Sequence, residues 1–358
     1  MINNKHMKIV VASAGRRAHY IPWFREALQS QKIPGEVIAM DYRATSPTVG
    51  LADRAVQTPA YNSSEYLTMM RQWFEAERPD LFLCMNDYEM QILSNGLAAT
   101  LRDTGCTVAV LDSAAQDWVL DKYLMAKTLE EHAIPTPQTR LGSEVSDVVT
   151  ACPSDMIFVV KHRFGSGSTG LHIVQTPDLE KAVADSAQTA LGQDGHKAPD
   201  GPAAVLIQEH LPGHEFGVDG VFSLDGQGEL LGVLARRTEQ MRAGDPDVAT
   251  TVSGERFVPI MRQLGRLLRP VGPINADFRE NAAGEPQIID INPRMGGGYP
   301  YNHRAGADMP AALVRAVAGL EHLPELLEYE LGVTTARHEE FTIIGREAAD
   351  TVPSISQP

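Results

Sequence analysis

Glu285-Pro-Gln-Ile-Ile-Asp-Ile-Asn-Pro-Arg-Met-Gly-Gly-Gly298 is an apolar strand running into a glycine-rich turn. Residues two apart on a strand share a face, so Asp290, Asn292 and Arg294 converge on one side. Two readings fit: a platform for a cation and phosphates, or an ordinary strand ending in a solvated loop. Just upstream, Ile274-Asn-Ala-Asp-Phe-Arg279 is also strand-like, and the polar turn around Gly284 joins the two as an antiparallel hairpin. Such a hairpin can carry Asp277 and Asp290 on one face.

Further from the hairpin the pattern changes. Lys8–Ser13, Glu36–Met40, Asp80–Cys84 and Thr107–Leu111 are short β-rich runs, with helical patterns at 64–77 and 87–102 between them. That alternation argues for a small α/β domain with a parallel sheet. Residues 1–6 are polar, and Met7 immediately precedes the first strand, so they are left out of the fold. The turn after the first strand holds only Gly15, too few glycines for a dinucleotide fingerprint. Gly15, Arg16 and Arg17 can meet an anion at a helix start or stand as a turn with solvated arginines. Asp87 and Glu89 follow a strand's C-terminal end, where open sheets bind ligands, although Asp87 also reads as a helix cap.

The middle of the chain reads as a helix over 115–131, then the extended hinge Ile134-Pro-Thr-Pro137. Asp155–Lys161 is a strand ending on a basic residue. It precedes Gly165-Ser-Gly-Ser-Thr-Gly170, and Leu171–Gln175 then alternates like a strand rather than opening a helix. The loop therefore suits a glycine hairpin that lays N–H groups over phosphates beside Lys161, or a hairpin without a ligand. A helix at 178–191, strands at 204–208, 216–222 and 230–235, a mobile polar loop from Thr238 to Ser253, and helices at about 254–269 and 308–319 complete the pattern. The tail reads as a final strand at Phe341-Thr-Ile-Ile344.

Composition limits the function classes. The 358 residues include 31 Lys plus Arg against 46 Asp plus Glu, a formal charge of -15 that disfavours nucleic acid as a partner. Cys84, Cys106 and Cys152 have no metal-ligand spacing and read as reduced thiols of a cytoplasmic protein. No apolar run approaches the roughly 18 residues of a membrane span, and no leader pattern opens the chain. Secretion and membrane insertion are therefore not expected.

Taken in order, Asp121-Lys122, Val160-Lys161 with the Gly165–Gly170 loop, Gln208-Glu-His-Leu-Pro-Gly-His-Glu215 and Asp290-Ile-Asn-Pro-Arg294 resemble the ATP-grasp superfamily over about residues 7–325. Ala12-Ser-Ala-Gly-Arg-Arg17 and Asn292–Pro300 resemble the subgroup of the carbamoyl-phosphate synthase large chain and the pyrrolysine-biosynthesis ligase. The resemblance implies an N-terminal α/β domain at 1–114, a linker helix and lid at 115–211, a large subdomain with the Mg-ATP site at 212–325, and an extension at 326–358. It places ATP between two α+β subdomains. Lys122, Lys161 and the loop residues Gly165, Ser166, Gly167, Ser168 and Gly170 would hold the phosphates. Glu209, His210 and Leu211 would meet adenine, and Glu215 the ribose. Asp277, Asp290 and Asn292 would hold Mg²⁺, as two ions, with Mn²⁺ an alternative.

The resemblance further implies Arg294 at the transferring phosphoryl group, with Arg236 and Arg242 gripping a carboxylate or acyl phosphate. Gly297, Gly298 and Tyr299 would line an acceptor pocket, and Gly15, Arg16, Asp87 and Glu89 are further substrate candidates. Two features depart from the family: Asp290 stands where Glu is usual, and the segment after Arg236 is less basic. The implied activity is that of an EC 6.3-type ligase joining a small amino-acid-like carboxylate to an amine, or to a thiol, through an acyl phosphate. A homodimer through the N-terminal domain fits the same resemblance. Carbamate or bicarbonate phosphorylation is an alternative, weakened because no amidotransferase or biotin-carrier segment is visible. A nucleotide-binding regulatory module without turnover is another.

Overall fold

The structure is a computed structural model that describes residues 5–15, 17–165, 170–192, 196–242 and 244–345. Strands β1 (Met7–Ala12), β2 (Gly35–Asp41), β3 (Arg54–Gln57), β4 (Leu81–Cys84) and β5 (Thr107–Val108) form a parallel sheet in the order β3-β2-β1-β4-β5. All of β1 except Lys8 is buried, as a central strand covered on both faces requires. The strand order reverses between β1 and β4, so their C-terminal ends open a crevice where ligands bind in such sheets. The segments leaving that crevice carry Arg17 and Asp87.

The helix expected at 64–77 is Ser64–Glu77, capped by the Ser63 side chain. The helix expected over 87–102 is instead interrupted: Asp87–Ile92 and Ala98–Arg102 flank a widened turn in which Gly96 takes φ 111. The strand expected to reach Leu111 stops at Val108, because the Arg102 guanidinium takes the carbonyls of Val108 and Val110 at 3.0 and 2.6 Å. The 115–131 helix is likewise two, Ser113–Leu120 and Lys122–Glu131. Asp121 leaves the helical path and accepts from the amides of Tyr123 and Leu124, while Arg163 holds its carboxylate at 2.7 and 2.5 Å. The break makes Lys122 the first residue of a helix.

Two antiparallel sheets follow. Strands β6 (Thr139–Leu141), β7 (Ile157–His162), β8 (His172–Gln175) and β9 (Val205–Glu209) are ordered β6-β9-β7-β8. The larger sheet contains β10 (Glu215–Phe222), β11 (Leu230–Arg242), β12 (Asp245–Val252), β13 (Ile274–Glu280), β14 (Pro286–Asn292) and β15 (Thr334–Ala336), ordered β14-β13-β10-β11-β12-β15. The mobile loop expected over Thr238–Ser253 is therefore a correction: it is the β11–β12 hairpin, ladder-bonded from Arg242–Asp245 to Ala235–Val252. Its polar residues had hidden a strand that water touches along much of its length.

Phe341–Ile344 is not the final strand. Phe341 is 100% exposed, and the last pairing is β15 against Val248–Thr250. Helix Leu179–Ala187 is shorter than expected, and helix Tyr299–Arg304 was not anticipated. Cys84 and Cys106 are buried, Cys152 is half-buried, and all three are free. Among the described residues no helix is long and apolar enough to cross a membrane.

The parallel sheet is joined to the rest by one continuous core running from Ile9 and Phe24 to Tyr299, Met309 and Leu313. At this seam Trp23 stacks on His303 at 3.9 Å, and the Tyr20 hydroxyl donates to the Gly296 carbonyl at 2.7 Å. Burial holds His19 and His303 neutral, each with its pKa lowered to about 4; Arg17 and Arg337 add to the effect at His19. Because the folded pKa lies below the unfolded value of 6.5, the unfolded chain takes up protons that the fold excludes. Stability is full above the unfolded value and falls as pH drops toward the folded one. The thermal midpoint should therefore fall on acidification across this window, and His19→Phe should make the fall shallower. Parallel pH profiles of midpoint for wild type and variant would contradict this account.

Candidate active site

The β13–β14 ladder sets Asp277 opposite Asp290 and Asn275 opposite Asn292. A register shift after Asp277 leaves Ile289 out of the pairing, and its carbonyl accepts from Lys161 Nζ at 3.1 Å. Lys161 arrives from β7 in the smaller antiparallel sheet. Lys122, at its helix start, lies 3.2 Å from Asp290 Oδ1 and donates to the Gly165 carbonyl at 3.0 Å. Two lysines and two carboxylates are thus gathered from four elements.

Like charges directly across a ladder repel. Burial, followed by Asp290 and Glu215, pushes the Asp277 carboxyl up to about 7. Burial also lowers Lys161 to about 8, against the pull of Asp290. Among the described residues no three His, Cys, Asp or Glu gather as a closed metal site. Two carboxylates and the Asn292 amide oxygen, which also accepts from Arg294 at 3.0 Å, form an open, all-oxygen set. That set fits Mg²⁺, which prefers oxygen and shares its shell with phosphates.

These residues line a cavity of about 700 Å³ that also exposes Gly165, Glu209, His210, Leu211, Glu215, Arg236, Arg294, Gly297 and Gly298. Glu215 is paired with Arg279 at 3.1 Å, and Arg279 also donates to the Leu211 carbonyl at 2.8 Å. The amides of Glu209 and His210 are bonded to Gln138 and Ile157. Among the described residues nothing accepts from the Leu211 amide. Gly170 packs instead on the His162 ring, with its carbonyl taken by Ser186. Arg16, Ser166, Gly167 and Ser168 lie outside the described residues.

The arginines divide sharply. Arg294, 8% exposed, makes a two-pronged pair with Asp87 at 2.7 and 2.9 Å. Burial opposes its charge, but Asp87 outweighs burial and the pKa rises. Arg236, 2% exposed, pairs with the fully buried Asp219 and donates to Asn302 at 3.3 Å. Among the described residues its Nε has no partner. Arg242 sits at the hairpin tip, exposed and paired with Asp247 at 2.8 Å, and does not line the cavity.

Other sequence candidates also fall away from it. Glu89 is buried within the parallel-sheet domain, bonded to Ser13 and to the Tyr66 hydroxyl at 2.5 Å. The Tyr299 hydroxyl is turned into the seam, toward His303, Ala307 and Met309. Gly15 serves a turn at φ 53 and does not line the cavity. The expectation had not placed Asp219, Asn275 or Asp245 at the site, although Asn275 and Asp245 line the cavity. Position two before Asp277 was the available signal for Asn275.

Asp219→Ala should strand the buried Arg236 charge and cost about 3–5 kcal/mol, read as a lower denaturant midpoint. Unchanged stability would contradict the pairing. A Cβ on Gly298 would sit 2.2 Å from Arg236 Nε, whereas on Gly297 its nearest neighbour is 3.6 Å away. Gly298→Ala should therefore destabilise by about 1–3 kcal/mol and Gly297→Ala by far less, with the reverse ranking refuting the packing.

Comparison with known proteins bears on the family and the fold. Residues 202–341 match the family described as ATP-grasp in the biosynthetic pathway with Ter operon, and residues 9–109 match the PylC-like, N-terminal domain. Carnosine synthase 1 of Gallus gallus is 28% identical over 185 residues, covering 47% of this chain and 19% of that protein. The chain thus spans well under two thirds of that relative. The biotin carboxylase domain dimer of Hydrogenobacter thermophilus 2-oxoglutarate carboxylase, solved with MgADP, ADP and bicarbonate, superposes with a TM-score of 0.66 at 15% identity, over 91% of this chain and 73% of that one. L-amino acid ligase from Bacillus licheniformis gives a TM-score of 0.63 at 13% identity, over 91% and 78%. At these identities the two structural likenesses are likenesses of fold.

Proposed function

We propose that this chain, whose residues 202–341 match an ATP-grasp family and whose residues 9–109 match a PylC-like N-terminal domain, is an ATP-dependent carboxylate–amine ligase working through an acyl phosphate. The observation that carries the reading is the meeting of Lys122 and Lys161 with Asp277 and Asp290 in one large cavity. The name of the L-amino acid ligase neighbour supports a small amino-acid-like substrate, and the synthase name of the carnosine synthase relative supports a joining reaction. The MgADP of the carboxylase neighbour supports ATP with Mg²⁺.

In this reading Lys122 and Lys161 neutralise the phosphates, and Asp277, Asp290 and Asn292 would hold Mg²⁺. The free Leu211 amide is available to adenine, and Glu215 to the ribose. A carboxylate oxygen attacks the γ-phosphorus, the bond to the bridging oxygen breaks, and ADP leaves. The amine then attacks the acyl carbon, phosphate leaves, and the amine proton passes to solvent or phosphate. Bound Mg²⁺ supplies charge neutralisation at the phosphate oxygens. Arg294 adds fixed positive charge where the phosphoryl group transfers, and Asp87 holds it there. No covalent nucleophile from the protein is needed, because positioning and electrostatics supply the catalysis.

Incubation with ATP, Mg²⁺ and pairs of amino acids should release ADP and phosphate together with an amide product, measured by coupled assay and mass spectrometry. Asp290→Ala should lower turnover by at least about 100-fold, as loss of transition-state charge stabilisation does. Asp87→Ala should lower kcat by about 100-fold while leaving nucleotide affinity nearly intact, since it misplaces Arg294. Release of AMP and pyrophosphate would refute the acyl-phosphate route, and ADP release that needs bicarbonate but no amine would refute the ligase.

A further inference from the structure

Three arginines, Arg17, Arg236 and Arg294, line the same part of the cavity. Asp219 neutralises Arg236 and Asp87 neutralises Arg294. Arg17 is different: its Nη1 donates to the Met85 carbonyl at 2.9 Å, and among the described residues no carboxylate lies within salt-bridge distance of it. Asp87 and Asp245 act on it only from beyond pairing distance, which leaves this half-buried guanidinium a place for an anion from outside. Burial and the neighbouring Arg294 both press on its charge, and the attraction of an arriving carboxylate would offset them.

Asp245 lines the same cavity from the β11–β12 hairpin. Its Oδ2 meets Arg337 at 3.3 Å in an exposed pair, which holds little energy. Its Oδ1 is directed elsewhere: that atom and Arg17 Nε both come within 4 Å of the point above Gly297 where a side chain would begin, at 3.9 and 3.6 Å. Gly297 keeps that space open. An anion receptor and a cation receptor therefore face one small volume, one from the parallel-sheet domain and one from the hairpin.

The geometry points to a zwitterion subsite, in which Arg17 receives the α-carboxylate and Asp245 the α-ammonium group of a free amino acid. This rests on the ligase reading and narrows it: one of the two substrates is an α-amino acid whose charged backbone groups are both recognised. Neither residue touches the transferring phosphoryl group, so both act on specificity. Gly297 sets the size limit above them.

The test is calorimetric titration of the protein, saturated with Mg²⁺ and a non-hydrolysable ATP analogue, with individual proteinogenic amino acids. The tightest binder is then compared with its decarboxylated amine and its N-acetyl derivative. Wild type should bind both analogues about 100-fold more weakly, the scale of a lost charged hydrogen bond. Arg17→Met should erase the discrimination against the amine but keep that against the N-acetyl compound, and Asp245→Asn should do the opposite. Arg17→Lys should restore part of the first.

Absence of any amino-acid binding overturns the subsite, as do equal affinities for amino acid and analogues in wild type, a comparison that stands even if a variant fails to fold. Variants that bind and discriminate like wild type also overturn it. Binding is read without turnover, so a missing ADP signal counts against the ligase and leaves this result intact.

Discussion

The two-pronged pair between Arg294 and Asp87 ties the glycine-rich turn after β14 to the segment leaving β4. Each partner follows a strand of a different sheet, and the two are 207 residues apart in the chain. Planar guanidinium on planar carboxylate fixes orientation as well as distance, which a lysine could not do. The parallel sheet is consequently more than a preceding domain. Its switch-point side contributes Arg17 to the cavity, and most of the remaining lining comes from the two antiparallel sheets.

Electrostatics explains why an acidic protein can hold a phosphate-binding site. The formal charge of -15 belongs to the whole surface, while the cavity concentrates Lys122, Lys161, Arg17, Arg236 and Arg294. Low-dielectric walls make the local field, and not the net charge, the one a ligand meets. Within the cavity the field is divided. Asp277 and Asp290 leave a negative pole suited to a cation, and the lysines beside them leave a positive one suited to phosphate.

Much of this was legible in the chain because the informative residues sit on regular elements. Period-two spacing put Asp290 and Asn292 on one face, and the hairpin turn brought Asp277 opposite, as the ladder shows. Four of the five parallel strands were legible as short apolar runs, whereas β3, Arg54-Ala-Val-Gln57, has no such run and was not anticipated. What failed was decided at a distance. The polar β11–β12 hairpin carries no apolar stripe, Arg102 ended β5 from a neighbouring helix, and Asp121 broke a helix that its local sequence favours. Glu89 looked like a ligand-facing residue, yet the turn of the helix beginning at Asp87 carries it inward to Tyr66 and Ser13.

The glycine run Gly296-Gly-Gly298 shows the same limit from the other side. A glycine-rich turn after an acidic strand reads as room for a ligand. Two of the three glycines are instead spaces for protein atoms: a Cβ on Gly296 would stand 2.5 Å from Asp219 Oδ1, and one on Gly298 2.2 Å from Arg236 Nε. Gly217 closes on the same guanidinium from β10, where a Cβ would lie 2.7 Å from Arg236 Nη2. The buried Arg236–Asp219 pair therefore dictates the glycines around it, since neither partner can move without exposing an unpaired charge. Of the three, Gly297 alone leaves room for a Cβ, near Arg17 and Asp245. The turn is thus a packing solution on either side of one residue whose neighbours leave space for a side chain.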